Sequence, residues 1–272
     1  MNVWRSTLNE RLRILKLLEQ GKINADEAAR LLEALTFSHP HTSRRRHKIF
    51  SVFEWIPDII TSKINGSFEH GTADRTLAFS RKRRIKFKGI SGDLQIHGGE
   101  ENNITIQKDG FVKIKEDEDT LEVKAITGDI EIAVPHTIDL SIKGVSGDIT
   151  IRDISGEIKL TSVAADIHGS NLSGSFTGEL VAGDVDIEYR HLENIDIKTK
   201  KSDITLRLAD AVEAEIELEA KHGGIDCEFN LLKEKRTATT LKGIINNKGA
   251  RIRIKNDRGD IVIKQEKGRK GT

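Results

Sequence analysis

Five acidic residues, Asp129, Asp148, Glu157, Asp166 and Asp184, recur at matching places behind small residues or glycine. Acids that recur in register can stand as a ladder, and a ladder of carboxylates has two chemical uses. One is calcium binding, as in rolled β-structures. The other is glycan cleavage, which needs two acids at a controlled separation. Neither pattern is complete. The GGxGxDxUx nonapeptide is missing, and one acid per corner leaves calcium short of oxygen ligands. From residue 90 onward the aromatic residues are Phe111, Phe176, Tyr189 and Phe229 alone, too few for sugar platforms. Stacked carboxylates also repel unless something neutralises them. Successive corners need not stack at all if they lie on opposite sides of a coil. The plainer role is structural, with each acid accepting backbone N–H groups at a turn.

Other chemistry is equally thin. The chain has no nucleophile elbow, phosphate loop or HExxH helix. Its one cysteine, Cys227, lies in an apparent strand and reads as an inert thiol. His97, His136, His168, His191 and His222 are scattered without ligand spacing, and His39, His41 and His47 have no cysteine or acid among them. The expectation is a protein that is not an enzyme and has no metal or cofactor. A β-solenoid carbohydrate-active enzyme, lyase-like or hydrolase-like, is the alternative.

The corner acids sit in a repeat. Thr127 to Glu188 reads TGDIEIAVP, SGDITIRDI, SGEIKLTSV, AADIHGSNL, SGSFTGELV, AGDVDIEYR, with units starting at 146, 155, 164, 173 and 182. In each unit a small residue and a glycine make a bend, and a short alternation follows. Ile149 and Ile151 share one face, while Asp148 and Thr150 take the other. One such strand cannot cover its apolar face, but stacked copies can. Separate hairpins or a sandwich also give short strands at this spacing. The near-identical corners favour a mainly β fold, a single-stack β-solenoid of about 19 residues per coil. Related segments from Ser91 to Ile263 extend it to roughly nine or ten coils and a rod of roughly 45 Å.

The rest of the 272 residues divides in order. Residues 1–37 read as a small α-helical hairpin. Leu8, Leu12, Leu15 and Leu18 stripe the first helix, and Ala28, Leu31, Leu32 and Leu35 the second. A module this short buries little alone, so Leu12, Leu15, Leu31 and Leu35 form a candidate partner face, for another protein or a second copy. Residues 38–75 read as a linker with an amphipathic segment. Arg44, Arg45 and Arg46 precede Phe50, Phe53 and Trp55, a candidate contact for a membrane surface or partner. The same segment could instead cap the open end of the solenoid. Residues 76–266 are the solenoid, with Ile85 and Phe87 in a first strand, and 267–272 a disordered tail.

Composition sets limits. The chain has 44 basic and 43 acidic residues, so net charge offers no general pull toward nucleic acid, and none is expected as a partner. A single cysteine excludes an internal disulfide and suits a reducing compartment. With 4% aromatic residues, the core must be aliphatic. The first 18 residues lack the apolar core of a secretory signal, and no run reaches the length of a spanning helix. The expected location is cytoplasmic, and peripheral attachment at the membrane or cell envelope stays open.

The segments SGDLQI at 91–96, TGDIEI at 127–132, SGDITI at 146–151, SGEIKL at 155–160 and RGDIVI at 258–263 resemble the bacterial putative-adhesin β-strand-repeat family. ERLRILKLLEQGKINADEAARLLEAL at 10–35 is similar to the SHOCT-like helical hairpin that precedes this domain in LiaX/YvlB-like proteins. The resemblance implies a non-enzymatic protein of the cell-envelope stress response. It implies that the helical module senses envelope-active peptides and that the solenoid restrains signalling. It supplies no catalytic residues.

Overall fold

A computed structural model describes residues 75–89, 92–108 and 111–266. The proposed helical hairpin, the tail, and the linker apart from its last residue Arg75 lie outside these residues. Nineteen strands form one continuous hydrogen-bonded sheet that folds back into two facing walls. In chain order they begin with β1 (Arg75–Phe79), β2 (Arg84–Gly89), β3 (Leu94–Gly99), β4 (Ile104–Lys108) and β5 (Phe111–Glu116). Next come β6 (Thr120–Thr127), β7 (Ile130–Pro135), β8 (Asp139–Ser146), β9 (Ile149–Arg152) and β10 (Ser155–Ala164). The long β11 (Ile167–Ala182) and β12 (Val185–Lys201) follow, then β13 (Ile204–Ala209), β14 (Ala214–His222) and β15 (Ile225–Cys227). The chain ends with β16 (Leu231–Arg236), β17 (Thr240–Ile245), β18 (Ala250–Arg258) and β19 (Ile261–Glu266).

The first wall runs β5-β6-β2-β8-β10-β11-β12-β18-β14-β17-β16. The second runs β1-β4-β7-β3-β9-β11-β12-β13-β19-β15. Strands β11 and β12 belong to both, bending from the second wall into the first through breaks in register such as that between Gly169 and Leu172. Pairing is parallel throughout the body and antiparallel only beyond β6, β7 and β14. With strands about 4.8 Å apart, the eleven-stranded wall is roughly 48 Å long.

The solenoid is therefore present, with two corrections. It has eight coils rather than nine or ten, because the stretches around β4–β5 and β16–β17 run antiparallel to the coils beside them. Nor do the coils stack in chain order. From one end they are 120–135, 84–99, 139–152, 155–170, 173–189, 191–209, 250–266 and 214–227. The first coil in sequence is the second layer, and the last in sequence is the seventh. RKRRIKFK accordingly supplies β2, an interior strand with β1 before it.

The alternation does what its period requires. Leu121, Ile85, Leu140, Ile158, Phe176, Ile195, Ile252 and Ile216 lie side by side across the first wall, all buried. Ile130, Leu94, Ile149, Ile167, Val185, Ile204 and Ile261 face them from the second. The one large ring in the first row needs room, and Gly178 leaves it: a Cβ there would stand 2.8 Å from the Phe176 ring. A buried amide joins the out-of-order seventh layer to the sixth. The Asn256 side chain donates to the Ser202 carbonyl at 2.7 Å and the Gly259 carbonyl at 3.0 Å, and accepts from the Thr199 hydroxyl at 2.8 Å.

Candidate functional site

The corner acids come first, because the sequence singled them out. Between the two strands of each coil the chain turns through a residue that is small in five coils and Lys201, His222 or Arg258 in the others, then Ser, Ala or Gly, and usually aspartate. These corners lie directly over one another. The backbone N–H of Asp93 donates to the Asp129 carboxylate, and that of Asp148 to Asp93. The same bond runs from Asp184 to Asp166, Asp203 to Asp184, Asp260 to Asp203 and Gly224 to Asp260, all at 2.7–2.9 Å. Main-chain carbonyls return the bond, as where the Ile149 N–H donates to the Asp166 carbonyl at 2.8 Å. The acids thus accept backbone N–H groups, as the structural reading held, but from the adjacent layer rather than from their own turn. They also do stack.

Glu157 is not in this column. It lies on the opposite corner, where its N–H donates to the Asp139 carboxylate at 3.1 Å. The nine-residue step alternates corners, so every second unit belongs to the far side. Glycine is needed at the aspartate corner because the layers approach closely. Gly183 has φ of +109°, and a Cβ on it would stand 2.0 Å from the Ala165 carbonyl oxygen.

The remaining chemical candidates are dispersed. Cys227 is half-buried at the end of the second wall, and burial pushes its thiol up, away from the reactive thiolate. His136 and His222 each place Nδ1 on a backbone carbonyl, of Asp153 at 2.8 Å and Asp257 at 3.0 Å. Among the described residues no group of three or more His, Cys, Asp or Glu side chains is placed to hold a metal. Leu12, Leu15, Leu31 and Leu35, and Arg44, Arg45, Arg46, Phe50, Phe53 and Trp55, lie outside the described residues.

Two charged features mark the outer face of the first wall. Across β5, β6, β2 and β8 the register aligns Lys113, Lys124, Lys88 and Lys143 in one row. Glu122, in the neighbouring row, lies 3.1 Å from Lys88 and 3.7 Å from Lys124. At the other end β16, β17, β14 and β18, with the loop before β18, line a cleft of about 420 Å³. Lys233, Lys235, Lys242, Lys248, Arg251 and Arg253 line it, with Glu215 and Glu217. Glu217 bonds Lys242 at 2.7 Å and Arg253 at 3.3 Å, and these cations, Lys242 foremost, hold its carboxyl below the usual range. Sequence reasoning passed over this cleft, although a signal was there. Residues 233–253 hold seven basic side chains against one acid.

Comparison with known proteins bears on the same residues. The family profile described as Toastrack DUF4097 matches residues 108–264, and one described as a SHOCT-like domain matches residues 9–37. Among curated proteins, no relative matches the chain. Of solved structures, a putative cell adhesion protein from Clostridium sporogenes is 13% identical, with TM-score 0.44, covering 71% of this chain and 100% of its own. A putative adhesin from Bacteroides fragilis is 14% identical, with TM-score 0.38, covering 72% and 98%. A putative lipid binding protein from Parabacteroides distasonis is 9% identical, with TM-score 0.23, covering 73% and 95%. At these scores the likeness says nothing of ligand or activity.

Proposed function

Since the chain belongs to the Toastrack DUF4097 family, whose profile spans residues 108–264, we propose that it is a non-enzymatic binding and scaffold protein of the bacterial cell-envelope stress response. The column is the platform. The SHOCT-like module at residues 9–37 engages a protein partner or a second copy, with Leu12, Leu15, Leu31 and Leu35 as its apolar face. The segment bearing Arg44, Arg45, Arg46, Phe50, Phe53 and Trp55 meets a membrane surface or an envelope-active peptide, from the cytoplasmic side.

The observation that carries this reading is the use made of the corner acids. The array of corner acids is largely spent on joining layers, the carboxylates of Asp93, Asp129, Asp166, Asp184, Asp203 and Asp260 each holding an N–H of the adjacent layer. What faces solvent is two rigid walls of polar side chains in straight rows. Such a surface suits lateral contact over tens of ångströms. The envelope-stress part rests on the order of the two modules.

The test is a panel of cell-wall glycans, with and without calcium. No depolymerisation is expected. Cleavage that disappears in an Asp93→Asn, Asp148→Asn variant would overturn the reading in favour of a carbohydrate-active enzyme. For the N-terminal contact, vesicle co-sedimentation of the full chain is compared with that of a chain starting at Thr76. Most binding is expected to go with the first 75 residues.

A further inference from the structure

The cleft under the β16–β17 hairpin is more than a basic patch. Glu217 bonds both Lys242 and Arg253, and its one charge answers only one of them. Lys233, Lys235, Lys248 and Arg251 line the same space, and among the described residues none of them has an ion-pair partner. Glu215 is the one other carboxylate in the lining, so six cations against two acids leave four positive charges around about 420 Å³. A single carboxylate would leave most of that charge unanswered. A phosphate group carries about 1.5 to 2 negative charges at neutral pH, so two of them answer it. Arg251 and Arg253 offer planar forks to phosphate oxygens, and the lysines supply point charges.

Two further observations show a shaped space. Ile244 lies on the outward side of β17, opposite Glu215 and Leu232, yet is only 8% exposed. It gives the cleft an apolar base. In β16 the register breaks between Leu232 and Lys235, and Lys233 in that break has φ of +53°. A non-glycine residue in that region is strained, and such strain collects where a side chain must be aimed. Here it turns a lysine toward the cleft lining.

We propose that this cleft binds a small ligand bearing two adjacent phosphate groups, of the pyrophosphate class. The proposal rests on the reading of the column as a binding platform and names one ligand class for it. The ligand could be a free solute or a lipid headgroup, and the chemistry recognised is the same.

The experiment is calorimetric titration of the full chain at about 0.15 M salt, where distant surface charge is largely screened. The probes are sodium pyrophosphate and, separately, a short-chain pyrophosphoryl lipid kept below its micellar concentration. Each charge-assisted contact removed costs roughly tenfold. Lys248→Gln with Arg251→Gln is therefore expected to weaken binding about a hundredfold. Lys113→Gln with Lys124→Gln removes the same charge at the other end of the wall and is expected to change it less than about twofold. Should the first pair unfold the hairpin, Lys233→Gln with Lys235→Gln, on exposed positions, must show the loss instead. Binding of pyrophosphate alone indicates a free solute, and binding of the lipid alone a headgroup. No binding of either, or equal loss in the cleft and control variants, overturns the proposal. Glycan cleavage would sink the platform reading and leave this titration unaffected.

Discussion

The middle of the column and its two ends use the same segments under different assembly rules. From Asp139 to Ala209 each layer lies on its neighbour in sequence, and the corner bond between Asp184 and Asp166 spans 18 residues. At the N-terminal end the equivalent bonds span 36 and 55 residues. At the C-terminal end they span 57 and 36. The two ends mirror each other. In both, the segment nearer the chain terminus slips inside, and the coil beyond it is backed by antiparallel strands.

A simple energy comparison shows why this is tolerable. Loop closure grows only logarithmically, so stretching a contact from 18 to 57 residues costs about 1 kcal/mol. A column wound in sequence would leave its last coil as an open edge. Here β18 is paired on both sides, with β12 and β14, and β19 with β13 and β15. Eight layers make seven interfaces in either order, so the exchange forfeits no ladder, and its closure cost is that of about one backbone bond, about 1 kcal/mol net. The terminal segment is held from both sides instead of fraying.

The largest expected effect breaks the contrast directly. Deleting residues 250–266 should not simply shorten the column by one layer. It removes the layer between 191–209 and 214–227, so residues 214–245 should lose their hydrogen-exchange protection entirely while 139–189 keep most of theirs. Persistent protection in 214–245 would mean the interleaving is dispensable.

Gly183→Ala comes next, with a loss of roughly 3 kcal/mol or more in urea unfolding, from the φ of +109° and the clash with the Ala165 carbonyl. Gly259→Ala meets the Ser202 carbonyl at 2.2 Å and should cost about as much. It should differ in form, giving a biphasic transition with 214–266 opening first.

Smaller effects sharpen the picture of the corners. Asp184→Ala in the middle and Asp260→Ala at the end each remove one acceptor and should cost about 1 kcal/mol in either region. Asn at the same positions keeps an acceptor and relieves repulsion, so it should be nearly neutral. A much larger loss for Asp260→Ala would mean that the end corners hold more than one layer contact.

Tyr189 sets the smallest expected effect. Its phenol is buried, and its hydroxyl has no hydrogen-bond partner among the described residues. Tyr189→Phe should therefore be neutral or stabilise by up to about 1 kcal/mol. Burial holds this phenol above its ordinary value of 10, so the unfolded chain releases the proton first. The resulting contribution is complete below pH 10 and is lost as pH rises beyond it, in the wild type but not in the Phe variant. Thermal melts of the two proteins across alkaline pH check this.

Much of the column was legible residue by residue. Ile149 and Ile151 alternate with Asp148 and Thr150, and they point where the alternation says. Glycine before Asp148 and Asp184 marks corners. Asp129, Asp148, Asp166 and Asp184 do share one edge. Glu157 misled because its unit looks the same and sits at the same nine-residue step, yet half a coil separates it from the others. The cleft was missed because its cations come from three strands and a loop, and none stands out alone. Only the basic density of 233–253 hinted at it.

Sequence alone determined the building unit: a glycine bend, a two-residue alternation and an aliphatic face that must be covered. Those follow from forces acting within one or two units of nine residues, namely backbone sterics at the bend and the period of a strand. Tertiary structure decided which layer lies on which, which corner each acid occupies, and where the wall opens into a basic cleft. Every coil edge offers nearly the same backbone donors, acceptors and aliphatic row, so local chemistry does not choose among neighbours. The choice is made by pairings up to 57 residues apart, through the reversed segments that let the chain return inside its own last layer.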